Sequence, residues 1–148
     1  MADHAARSDF ASSAGANHVF GFDPANVHVF IAAFNRYDGD AEATWSDAER
    51  LDKEMHQYFV DTVGVPAAQA VLLMDGDGTV ASVTEKLGAL CSAAKKGDLL
   101  FVYWGSHGSV QTVGTDGYDR DTYSTKAYDG WIKGKDFIAT ISDVSLLG

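Results

Sequence analysis

The chain has 148 residues, 46% hydrophobic and 22% charged, which suits one soluble globular domain with a full core. Its 11 basic and 21 acidic residues leave a net charge of −10. That balance argues against nucleic acid and anionic membrane surfaces as main partners, and suits a cationic substrate or a bound cation. A single cysteine, Cys91, excludes an internal disulfide and fits a reducing compartment. No run approaches the roughly 18–20 apolar residues of a membrane span, and the first nine residues lack a signal peptide's apolar core. The expected location is cytoplasmic.

Residues 1–25 are small and polar with a few aromatics and no period, and read as a mobile N-terminal arm with Phe20 and Phe22 docking on the domain. Residues 26–148 form that domain. Residues 27–34 (Val-His-Val-Phe-Ile-Ala-Ala-Phe) predict a buried strand, and 35–43, holding Asp38-Gly39-Asp40, a loop at its carboxyl end. Thr44 opens a helix whose inner face is Ala48, Leu51, Met55, Phe59 and Val63, and Gly64 stops it. Residues 71–74 are a second strand, ending in Asp75-Gly76-Asp77-Gly78. That tetrad looks like the start of a calcium loop, but the glutamate that closes an EF-hand loop is absent at the required spacing, so it reads as a turn.

Thr79 caps a second helix with Val80, Val83, Leu87, Leu90 and Ala94 inward, a basic last turn at Lys95-Lys96 and a stop at Gly97. Residues 99–104 (Leu-Leu-Phe-Val-Tyr-Trp) are an unbroken apolar run that reads as a strand buried on both faces. Strand, helix, strand, helix, strand makes two crossover units, hence an α/β fold with a parallel sheet covered by helices. Residues 109–130 are polar and too long for a plain connector. Phe137, Ile138 and Ile141 predict a third, shorter helix.

The chemistry gathers where the third strand ends. In an open parallel sheet, ligands bind at the carboxyl ends of the strands, and His107 stands at such an end between Ser106 and Gly108. Neighbouring glycines let the backbone approach a ligand and leave amides free to donate. An imidazole beside open amides suits a general base in acyl transfer. His4, His18, His28 and His56 have no partner pattern and read as structural or exposed.

This order and these residues resemble the caspase-like cysteine peptidases, most closely the metacaspases. Tyr103-Trp104-Gly105-Ser106-His107-Gly108 is similar to that family's Tyr-Tyr-Ser-Gly-His-Gly, where the histidine is the catalytic base. Trp45-Ser46-Asp47-Ala48 followed by Leu51 resembles the Asn-Asp-Ala start of its first helix. Asp116-Gly117-Tyr118-Asp119 and Asp129-Gly130-Trp131-Ile132 resemble its acidic segment after the histidine. The likeness spans residues 27–142 or so. It implies a three-layer α/β/α sandwich with a mostly parallel sheet, here incomplete at the C-terminus, and cysteine-type endopeptidase activity on a protein or peptide substrate. It also implies His107 as base and the Gly108 amide in the oxyanion hole as catalytic groups, with Asp47 and Ser106 binding substrate. Asp47 would hold a basic side chain before the scissile bond, although Thr44 to Asp47 is equally a helix-capping spacing.

The chain departs from that pattern in three places. Gly105-Ser106 stands where the family has Ser-Gly. The acidic run of calcium-dependent members is reduced to Asp119 and Asp136, with Lys133-Gly134-Lys135 between them, so no cofactor is expected, with calcium left as an alternative. The family's nucleophilic cysteine ends a fourth strand that this sequence stops short of. Cys91, on the second helix next to the core position Leu90, reads as core. The chain alone is therefore expected to be inactive, with the cysteine supplied by a second chain or a downstream segment. Fragment, processed subunit and inactive homologue all remain open. So does a flavodoxin-like binding or regulatory domain, although no glycine-rich phosphate fingerprint opens either main helix.

Overall fold

The computed structural model of the chain describes residues 21–39, 50–110, 123–133, 136 and 139–140. Strand β1 (Val27–Ala33) is buried at all seven positions and lies at the centre of a parallel sheet of order β2-β1-β3, with β2 at Ala70–Met74 and β3 at Leu99–Gly105. In register, Val29 to Ala33 face Ala70 to Met74, and Val27 to Ala33 face Leu99 to Gly105. The chain enters β1 through a turn at Pro24–Asn26, where the Asp23 carboxylate accepts the Ala25 N–H. The Gln69 amide donates to the carbonyls of Ala25 and Val27 and ties the turn to the sheet.

Alternation along β1 sends side chains to two cores. Val27, Val29 and Ile31 pack with Phe59, Val63, Val65 and the partly buried Phe22 and Met55. Phe30, Ala32 and Phe34 pack with Val83, Leu87, Leu90 and Cys91. Met55, Phe59 and Val63 come from helix α1 (Leu51–Gln57) and the π-helical turn continuing it (Tyr58–Val63); Val83, Leu87, Leu90 and Cys91 come from helix α2 (Val80–Ala93). Helices thus cover both faces of a parallel sheet, as the crossover pattern requires. Gly64 ends the first helix at φ +88°, a conformation other residues rarely adopt, and the Thr79 hydroxyl caps α2 by accepting the Ser82 N–H.

Several expectations need correction. Leu51 is 62% exposed, while Asp52 is buried. Steps of four drift by about 40° each on a helix of about 100° per residue, so Leu51 stands about 80° from Phe59, whereas Asp52, seven residues back, stands only about 20° away. The third strand is half-buried rather than buried on both faces, because β3 pairs with β1 alone among the described residues; the doubly covered strand is β1. Lys95 and Lys96 follow α2 rather than forming its last turn. There the Asp98 carboxylate accepts from the Lys95 N–H and contacts His28 Nε2 at 3.0 Å, which makes His28 a buried structural residue.

The polar segment after His107 is not one loop. It includes β4 (Gly108–Val110) and β5 (Tyr123–Lys126), which with β6 (Trp131–Lys133) form a small antiparallel sheet. Of the third helix, Asp136, Ala139 and Thr140 are helical, with the Thr140 hydroxyl donating to the Asp136 carbonyl. Phe137, Ile138 and Ile141 lie outside the described residues, as do residues 1–20 and 40–49. Gly78, just before α2, meets β1's extension closely: a Cβ there would stand 1.8 Å from the Phe34 ring.

Candidate functional site

The parallel register sets the carboxyl ends of β1 and β3 side by side, Ala33 against Gly105, and the Phe34 N–H donates to the Gly105 carbonyl at 2.9 Å. His107 leaves that edge with its backbone fastened on both sides. Its N–H donates to the Tyr37 hydroxyl at 3.2 Å, and its carbonyl accepts from the Lys126 N–H at 2.9 Å. Tyr37 is itself buried and donates its hydroxyl proton to the Phe34 carbonyl at 3.0 Å. The imidazole stands 5.3 Å from the Tyr37 ring, centroid to centroid, at an interplanar angle of 44°. The Lys126 ammonium lies 5.2 Å from the Tyr37 ring centre and 5.1 Å from that of the half-exposed Trp131.

Gly108 faces Thr125 across the ladder, next to the hydrogen bond between Lys126 and His107. Antiparallel pairs alternate between bonded and non-bonded, so the Gly108 amide points away from β5. Ser106 is differently placed. Its Oγ accepts from Trp104 Nε1 at 2.6 Å, donates to the His107 carbonyl at 3.0 Å and shares a 2.7 Å hydrogen bond with Thr125 Oγ1. One donor and two acceptors exhaust a hydroxyl. In the structure this side chain braces the turn beneath His107.

A second cluster at the same end of the sheet escaped the sequence reading. Asp75, the first residue after β2, has φ +44°. Its Oδ1 accepts the N–H groups of Asn35 at 2.8 Å and Arg36 at 3.1 Å, and its Oδ2 accepts from Arg50 Nη1 at 2.8 Å. Arg50 also reaches Asp52 through Nη2 at 2.6 Å and the Ala33 carbonyl at 3.3 Å. Burial pushes both carboxyls up. Arg50's hydrogen bonds, then the backbone amides and Arg50's charge, outweigh this and leave Asp52 and Asp75 below the usual carboxylate range. The same hydrogen bonds, Asp52's first, raise Arg50 further above its ordinary value against the opposing effect of burial. An aspartate directly after a parallel strand, in Asp75-Gly76-Asp77-Gly78, was the only sequence signal for this cluster.

Of the residues singled out from sequence, His107, Gly108 and Ser106 come together at the end of β3. Asp47 and Asp119 lie outside the described residues. Cys91 is 1% exposed in the α2 core, and burial raises its thiol pKa. It sits toward the end of α2 that leads into the start of β3, so the length of that strand, about 20 Å at roughly 3.3 Å per residue, separates it from His107. Asp75-Gly76-Asp77 is a single 3-10 turn. Among the described residues no group of three or more His, Cys, Asp or Glu side chains could hold a metal ion, and no helix is long and apolar enough to cross a membrane. No family model, curated protein or solved structure matches the chain.

Proposed function

We propose that the domain is a caspase-like, metacaspase-type cysteine endopeptidase domain that carries the catalytic base and takes its nucleophile from outside these 148 residues. The observation that supports this most directly is His107 at the carboxyl end of β3, beside β1 in a parallel sheet, with its backbone fastened and followed by Gly108, whose amide is directed away from the ladder.

In this reading His107 accepts the thiol proton as the sulfur attacks the scissile carbonyl carbon, then delivers that proton to the leaving amine as the C–N bond breaks. The Gly108 N–H donates to the carbonyl oxygen as it becomes an oxyanion. Water, deprotonated by the same imidazole, then releases the acyl group from sulfur. Cys91 cannot serve, because activation requires a thiol within hydrogen-bond reach of the base. The partner is accordingly a second chain or downstream segment bearing a reactive cysteine.

The test is a peptidase assay on peptides with Arg, Lys or Asp before a reporter group. The 148-residue chain alone should be inactive; with a cysteine-bearing segment supplied by its coding frame or a partner chain, it should turn over substrate and lose activity in His107→Ala. Turnover by the isolated chain that vanishes in His107→Ala would overturn the requirement for an external cysteine. Turnover in the assembled protein that persists in His107→Ala would overturn the base assignment.

A further inference from the structure

The Asp75 cluster and the His107 turn are joined through three consecutive residues. Asp75 Oδ1 holds the backbone amides of Asn35 and Arg36, and the next residue, Tyr37, supplies the hydroxyl that receives the His107 N–H. The Tyr37 ring is also the surface against which the imidazole stands. Asp75 is fixed in turn by Arg50, which is anchored to Asp52 and to the Ala33 carbonyl at the end of β1. Two successive N–H groups converging on one carboxylate oxygen define the path of the loop leaving β1. The positive φ at Asp75 belongs to the same arrangement: an L-residue with a side chain occupies a conformation that glycine adopts more readily, between a strand and Gly76. A turn-forming role alone would be served by glycine there, whereas the carboxylate makes three hydrogen bonds outside its own turn.

We infer that Asp75 is a positioning residue for His107: its carboxylate sets the loop after β1, and that loop, through Tyr37, sets the place and orientation of the imidazole. This rests on the reading of His107 as the base, but it concerns the chain's own geometry and can be tested without turnover. On this account the carboxyl ends of β1, β2 and β3 form one preorganised unit, in which a charged group just after the second strand governs a neutral contact just after the third.

The experiment is NMR on the 148-residue chain, wild type and three variants: Asp75→Asn, which keeps one oxygen for the amides, Asp75→Ala, and Tyr37→Phe. Far-UV circular dichroism establishes that each is folded. In Asp75→Ala, amide exchange at Asn35 and Arg36 should quicken about tenfold or more, and the His107 ring resonances should move; Asp75→Asn should restore part of both. Tyr37→Phe should move the His107 resonances without quickening exchange at Asn35. In the double variant of Asp75→Ala with Tyr37→Phe, the displacement of the His107 resonances should fall short of the sum of the two single effects, since both act through one contact.

The inference is overturned if amide exchange rises in a folded Asp75 variant while the His107 resonances stay in place, the signature of a loop brace alone. Should neither Asp75 variant fold, Tyr37→Phe decides, because unmoved His107 resonances there show that the Tyr37 hydroxyl does not set the place of the imidazole. Resonances that respond as expected in a protein lacking peptidase activity in any assembly would leave the positioning intact and remove the catalytic reading. An active assembled enzyme with unmoved resonances would do the reverse.

Discussion

The carboxyl ends of β2 and β3 lie on either side of β1 and are built from opposite materials. At the end of β2 a guanidinium and two carboxylates, Arg50, Asp52 and Asp75, share hydrogen bonds that pull three segments of chain together. At the end of β3 the fastening is neutral: an indole, two aliphatic hydroxyls, a phenol and backbone groups around Ser106 and His107. Charge-assisted hydrogen bonds are roughly twice as strong as neutral ones but tie their strength to protonation. A neutral network is weaker per bond and insensitive to moderate changes of pH. The pairing gives firm anchorage at the β2 end, while the histidine's backbone is held by a phenol and a backbone amide.

The sharpest way to break this contrast is Asp75→Ala, expected to cost about 2–3 kcal/mol in a urea melt. This lies at or below the lower bound of about 3 kcal/mol for breaking a fully buried ion pair, because 24% of the Asp75 side chain remains in contact with solvent. Ser106→Ala should cost less, about 1–2 kcal/mol, by removing the acceptor for Trp104 Nε1 and the partner of Thr125. A larger loss in Ser106→Ala than in Asp75→Ala would invert the comparison. Tyr37→Phe, which deletes one hydroxyl and keeps the ring, should cost about 1 kcal/mol in the same measurement.

The smallest effect is a dependence on acid, absent between neutral pH and the top of the carboxylate range. Asp52 and Asp75 have folded-state pKa values below their unfolded values, so their contribution to stability is fully present above the ordinary carboxylate range and is lost as pH falls through the folded values. Urea melts from pH 6 down into that acid range should show this decline in the wild type and in Ser106→Ala. Asp75→Asn should show a shallower decline. An equal acid dependence in all three proteins would mean that Asp75 contributes nothing specific to folding.

How far these features can be read from sequence depends on how local their causes are. The seven buried residues of β1, the Gly64 stop and the Thr79 cap follow from periodicity and from residues within a turn of one another. His107 is legible because a strand signal ends three residues before it. The inward turn of Asp52 needed the helix phase rather than a count of fours, and the half-exposure of β3 needed the strand order. Asp75 was the least legible. Its partners lie 25, 39 and 40 residues away, and nothing in the turn Asp-Gly-Asp-Gly states that the carboxylate points back toward β1. The exhaustion of the Ser106 hydroxyl is equally non-local, since Thr125 comes 19 residues later on another strand.

The near contact between Gly78 and Phe34 carries a genetic consequence. No side chain fits at position 78 while the Phe34 ring keeps its place, and that ring is fully buried, with no room to swing aside. A saturation library should therefore return glycine alone at position 78, and Gly78→Ala should destabilise the fold by about 2–3 kcal/mol through overpacking. The smallest viable route away from glycine is a paired change: Phe34→Leu, deleterious by itself, should act as a second-site suppressor of Gly78→Ala. Two positions 44 residues apart would then appear as a co-selected pair, and recovery of Gly78→Ala on an unchanged Phe34 background would contradict the packing described.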